Sequence, residues 1–154
     1  MGDDMFDFEK DYADSVKIRV SLICVCHLGE NDYGVFLVEQ ERGLGLPTKH
    51  LSSYNTTEES AFVLLQQMFG LKDIKSSSWP NWTTVNLLDV KDEINRQTQK
   101  GLREILMVYG CFVPKQVKPE SHVKMERLED VYKDKRLVEE EKEILFRNIG
   151  KLSN

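Results

Sequence analysis

Only one stretch of this sequence carries both the start and the stop signals of a helix, and the runs on either side of it read as strand. Thr56 and Glu59 have the spacing of a capping box, in which the hydroxyl accepts from a first-turn N–H. Behind them, Ala61, Leu64, Leu65 and Met68 recur at i, i+3, i+4 and i+7, and Gly70 supplies the stop. A single amphipathic helix set among strands must bury its stripe on a sheet, which restricts the chain to an α/β arrangement.

The strands are read from alternation and from the residues that interrupt it. Val16 to His27 alternates and then runs apolar, as a strand buried on at least one face does. The turn formers from Leu28 to Gly34 lead into Val35 to Gln40, which makes a hairpin. Gly43-Leu44-Gly45-Leu46-Pro47 breaks the pattern, and Thr48 to Asn55 is expected as a polar loop. After the helix, Ser76 to Trp82 reads as a loop, Thr83 to about Val90 as a strand, and Lys91 to Gly101 as a hairpin loop or excursion. Leu102 to Val113 reads as a long central strand, Val123 to Leu128 as a short edge strand or turn, and Val138 to Leu152 as a second helix. A chain of 154 residues, 40% of them hydrophobic, supports one core. The expected organisation is an acidic N-terminal tail over 1–14 and one domain over 15–154.

Charge and cysteine content exclude several functions. A formal net charge of −5 offers no cation excess for phosphate-backbone binding, so bulk duplex DNA is not an expected partner. No apolar run approaches the ~20 residues of a membrane span. The acidic start has neither a basic n-region nor an apolar run, and position 6 is Phe6, so the signal-peptide and myristoylation patterns both fail. With three cysteines, Cys24, Cys26 and Cys111, the expected setting is intracellular, cytoplasmic or nuclear, with the thiols buried in strands. His27, His50 and His122 are scattered and form no nucleophile–base pattern.

From Leu46 to Leu71 the sequence resembles the Nudix box and its flanks. Leu46-Pro47 matches the opening of the motif, Ala61 its small position, Leu65 its core aliphatic and Gly70-Leu71 its close, in a register without gaps. The resemblance implies a Nudix-like α/β/α sandwich, with a mixed sheet, a central box helix and a C-terminal helix. It also implies where a metal centre belongs, because the motif sets glutamates at i, i+3 and i+4 on one helical face to give Mg²⁺ its oxygen ligands. Here those positions hold Leu64, Gln67 and Met68. The motif arginine is Val63, the upstream glutamate is Asn55 and the motif glycine is Lys49. A Leu cannot ligate Mg²⁺ and a thioether is too soft for it, so the expectation is no metal, no cofactor and no Nudix hydrolysis.

The expected role is therefore a non-catalytic module that binds protein partners, as inactive members of that family do within RNA-processing and regulatory assemblies. Leu64 and Met68 widen the apolar stripe and need cover, either from the chain itself or from a partner. Trp79, Trp82, Tyr33, Tyr54 and Lys49 suggest an alternative, a metal-independent site that stacks a nucleotide or single-stranded RNA. A further alternative is a divergent hydrolase of nucleoside-diphosphate-linked compounds that recruits Glu39, Glu41, Glu58, Glu59 or Asp89. Phe6, Phe8 and Tyr12, interleaved with acids, resemble a groove-docking peptide.

Overall fold

The computed structural model describes residues 16–41, 43–52, 54–71, 84–95 and 102–152, of which 93–95 and 102 are described in backbone only. Among these residues seven strands form one mixed sheet. In chain order they are β1 (Val16–Gly29), β2 (Asp32–Gln40), β3 (Gly43–Gly45), β4 (Thr48–His50), β5 (Asn86–Asn95), β6 (Leu102–Phe112) and β7 (Val123–Arg127). The main path runs β3-β2-β1-β6-β5, with β4 added to β1 and β7 to β2. Among the described residues the helices are α1 (Thr57–Phe69), α2 (Leu128–Val131) and α3 (Glu139–Asn148), the last followed by a 3₁₀ turn at Ile149–Lys151. Among the described residues no helix is long and apolar enough to cross a membrane.

The strand β1 organises the molecule. It is buried without interruption from Val20 to Cys26, so its even-numbered side chains enter one core and its odd-numbered ones another. Val20, Leu22, Cys24 and Cys26 pack with α1. Ile23 and Val25 pack with Leu145 and Ile144 of α3 on the opposite face. The sheet is thus covered on both sides, which accounts for an apolar run where a half-exposed strand would alternate.

Along one edge β1 runs parallel to β6 in register from Val16↔Arg103 to Val25↔Phe112. Along the other it pairs with β4 through Arg19 to Ser21 and with β2 from Val25 onward. The β1–β2 hairpin turns at Asn31, whose φ of 59° is in the left-handed region that asparagine tolerates.

Three segments differ from the sequence expectation. Thr48–His50 is a short strand rather than loop, because β1 leaves an edge open there for pairing. The strand expected from Thr83 begins at Asn86 and continues through Lys91 to Asn95, pairing with Arg103 and Leu102, so only 96–101 of the expected excursion lies outside the described residues. Its polar sequence conceals a strand that lies at the end of the sheet path and takes its geometry from pairing with β6. The four-residue helix α2 was not expected and carries a buried Val131. The candidates Trp79 and Trp82, and Phe6, Phe8 and Tyr12, lie outside the described residues.

Candidate functional site

The helix α1 forms as its signals dictate. Thr56 is its N-cap, with the hydroxyl oxygen accepting from Glu59 N–H at 3.1 Å. Gly70 closes it at φ 67°, its N–H donating to the Gln66 carbonyl. The Thr57 and Tyr109 hydroxyls, 2.7 Å apart, tie the first turn to β6. The Met68 carbonyl accepts from Glu120 N–H at 2.8 Å, and Phe69 meets Phe36 edge to face at 5.1 Å. Held at both ends, the helix buries Ser60, Ala61, Leu64, Leu65, Met68 and Phe69.

Leu64 and Met68, 6% and 1% exposed, belong to the same core as Leu22, Cys24 and Tyr109. They are covered from within the chain, the first of the two alternatives open in the sequence, and so are not available as binding residues. A second copy or foreign helix has no access to them. Of the three motif places only Gln67 is exposed. It lies on the wall of a cavity of about 430 Å³ shared with Glu120, Ser121 and His122.

Val63 and Asn55 are half-buried and line a different cavity of about 640 Å³ with Phe62, Glu58, Glu59 and Val85. Lys49 stands on β4 opposite Val20. Tyr54, 93% exposed, projects into solvent, so its ring walls no enclosed cleft. The motif positions are therefore divided between a closed core and two separate openings.

This set does not fit a hard divalent ion. Leu64 and Met68 present no oxygen, and Gln67 presents a single amide carbonyl. Among the described residues no three His, Cys, Asp or Glu side chains are grouped closely enough to hold a metal. The alternative carboxylates are dispersed, with Glu39 paired to Lys124 at 3.4 Å, Asp89 to Arg147 at 3.5 Å, and Glu58 and Glu59 in the first turn of α1.

A cleft that the sequence did not reveal lies between β1, β4 and the start of α3, with a volume of about 310 Å³. Its residues are spread from Arg19 to Ile144, and only the fold brings them together. Thr48 Oγ1 donates to the Leu46 carbonyl at 3.0 Å, so its 2.6 Å contact with Ser21 Oγ has the serine as donor. Glu141 Oε1 accepts from Leu46 N–H at 3.0 Å. Burial pushes the Glu141 carboxyl above the usual glutamate range, against the downward pull of that N–H and of Arg19. Arg19 Nε is buried without a hydrogen-bond partner among the described residues, while its terminal nitrogen is 3.7 Å from Glu104. The cleft is therefore lined by a guanidinium whose Nε is buried and by a carboxylate of raised affinity for a proton. It displays hydrogen bonds and holds no nucleophile beside a base.

The three cysteines sit on the α1 side of the sheet, as expected of core thiols. Cys24 and Cys111 face each other in register with Sγ atoms 3.8 Å apart, and burial pushes the Cys24 thiol well up.

Solved structures share this architecture. The NUDIX domain of Shewanella oneidensis NrtR, crystallised with ADP ribose, matches with a TM-score of 0.64 at 15% identity, over 96% of this chain and 100% of that one. The chain has the Nudix fold. The C-terminal domain of mouse MUTYH, crystallised with human PCNA, matches with a TM-score of 0.60 at 12% identity, over 88% of each chain. A Caenorhabditis elegans Ap4A hydrolase matches with a TM-score of 0.57 at 12% identity, over 84% of this chain and 93% of that one. No family model and no curated protein matches the sequence. Nudix-fold neighbours thus include a hydrolase and a domain in complex with another protein, so side chains and not the fold must decide between the roles.

Proposed function

We propose that this Nudix-fold chain does not hydrolyse nucleoside-diphosphate compounds and serves as a protein-interaction module, of the kind used in regulatory or RNA-processing assemblies. The observation that carries this reading is the burial of Leu64 and Met68 where the motif it resembles sets metal-binding carboxylates. Without carboxylates on that face nothing there neutralises a diphosphate or activates water in the manner of the motif. A Nudix-like domain crystallised with PCNA supports the use of this fold for protein contact.

The hydrolytic half is tested by incubating purified protein with Mg²⁺ or Mn²⁺ and a panel of nucleoside-diphosphate-linked compounds. The expected result is no turnover above the blank and no calorimetric heat of metal binding at millimolar metal. Turnover that is abolished by Glu58→Gln, Glu59→Gln or Asp89→Asn overturns the reading in favour of a divergent hydrolase. For the interaction half, a partner recovered by affinity capture must re-form a complex of fixed stoichiometry from purified components; if no recovered protein does so, that half fails.

A second reading is a metal-independent nucleotide binder. It is supported by Arg19, whose buried Nε has no hydrogen-bond partner among the described residues, beside Glu141 in the β1–β4 cleft, and by the ADP ribose bound to the NrtR domain. Calorimetric titration with ADP ribose in EDTA separates the two. Binding that is lost in Arg19→Ala supports the second reading, and an absence of heat removes it.

A further inference from the structure

We propose that the notch between the end of α2 and the outer face of α3 docks a cationic peptide segment of a protein partner, an arginine or lysine flanked by apolar residues. This inference rests on the reading of the chain as a protein-interaction module and names the surface and the partner chemistry. The feature that carries it is an aromatic pair in an open position. Tyr132 is 70% exposed and meets Phe146 edge to face, with ring centroids 5.5 Å apart at 79°. An exposed tyrosine ring is a place for a cation, and a guanidinium also stacks on one.

The pair forms a ridge between two openings. One, of about 290 Å³, has Tyr33 and Leu128 as walls and Asp32 and Glu129 at its rim. The other, of about 550 Å³, is rimmed by Glu139, Glu140 and Glu143 and contains Lys142. Two openings on either side of one aromatic ridge suit a chain with neighbouring side chains to place in each, rather than a lone small cation. The apolar walls accept the flanking residues.

The charges favour a positive occupant. Arg127 serves both Asp32 and Glu129, at 3.0 and 3.3 Å. Lys142 is 3.4 Å from Glu139, and Lys91 reaches Glu140 from β5 at 3.9 Å. Glu143 has no ion-pair partner among the described residues. Five carboxylates thus meet three cations around the two openings. The side chain of Glu139 is 91% exposed, so it can turn to an incoming guanidinium. Lys142, only 8% exposed, shows that the lower part of the notch already accommodates an ammonium.

The test uses the full chain and a fluorescein-labelled peptide of alternating leucine and arginine, with fluorescence anisotropy as the readout. Its counterpart carries citrulline, which keeps the shape of arginine and loses the charge. We expect saturable binding of the arginine peptide, weakened about tenfold by citrulline and by Tyr132→Ala and retained in Tyr132→Phe. Glu139→Gln combined with Glu143→Gln weakens it about fivefold, while the remote pair Glu58→Gln with Glu120→Gln, beside α1, leaves it unchanged. Equal binding of the two peptides, an unaffected Tyr132→Ala, or equal weakening by the remote pair overturns the proposal. Such a failure is distinct from failure of the proposed function, which is decided by metal-dependent turnover and by reconstitution of a complex.

Discussion

At the scale of single residues, burial determines what each motif position can tolerate. Leu64 and Met68 are sealed in the α1 core, so Leu64→Glu together with Met68→Glu places two unpaired charges there, at a cost of at least about 3 kcal/mol each. The double variant is expected to lose its cooperative thermal transition by circular dichroism. Gln67→Ala, on the exposed flank of the same helix, should shift stability by no more than about 0.5 kcal/mol. Glu141 makes a pH-dependent contribution of definite sign. Burial raises its carboxyl above the usual range, so the folded chain holds the proton more tightly than the unfolded chain. The stability from this group is full below the usual glutamate range and is lost as pH rises through the raised folded value. Glu141→Gln keeps an oxygen for Leu46 N–H, so it should raise the denaturation midpoint at pH 7 more than at pH 4.

At the scale of elements, α1 is the part most fully specified by its own residues. Removing its cap with Thr56→Ala should cost about 1 kcal/mol in urea unfolding. Gly70→Ala puts a Cβ on a left-handed residue and should cost at least as much, about 1 kcal/mol. The helix was legible because cap, stripe and stop all lie within fifteen neighbouring positions, Thr56 to Gly70. The strands β1, β2 and β6 were legible for a similar reason, since alternation or an apolar run appears in each, whereas Val123 to Leu128 was legible only as a short edge strand or a turn. Two features were hidden. The second half of β5, Lys91 to Asn95, has no apolar alternation in its sequence, and its strand geometry comes from pairing with β6. The cleft of Arg19, Thr48 and Glu141 is assembled from elements far apart in sequence, and no local spacing announces it. The candidate site was legible only as a list of absent carboxylates. That Leu64 and Met68 are covered by their own chain depends on the angle at which α1 lies across β1, which the helix sequence does not encode.

At the scale of the whole molecule, two cores share one sheet. Ile23 belongs to the α3 side and Leu65 to the α1 side, both fully buried. Ile23→Val should cost about 0.5–1.5 kcal/mol and Leu65→Ala about 2–5 kcal/mol. Because the sheet separates them, the double variant should equal the sum within about 0.5 kcal/mol, measured by denaturant unfolding. A larger coupling would mean that the two faces pack as one. The sealed face of α1 also limits how sequences near this one can change. A carboxylate introduced at 64 or at 68 alone is buried with no metal to neutralise it, and costs about 3 kcal/mol of a domain's usual stability of about 5–15 kcal/mol. Gradual substitution toward a metal-holding version of this helix therefore passes through destabilised single steps.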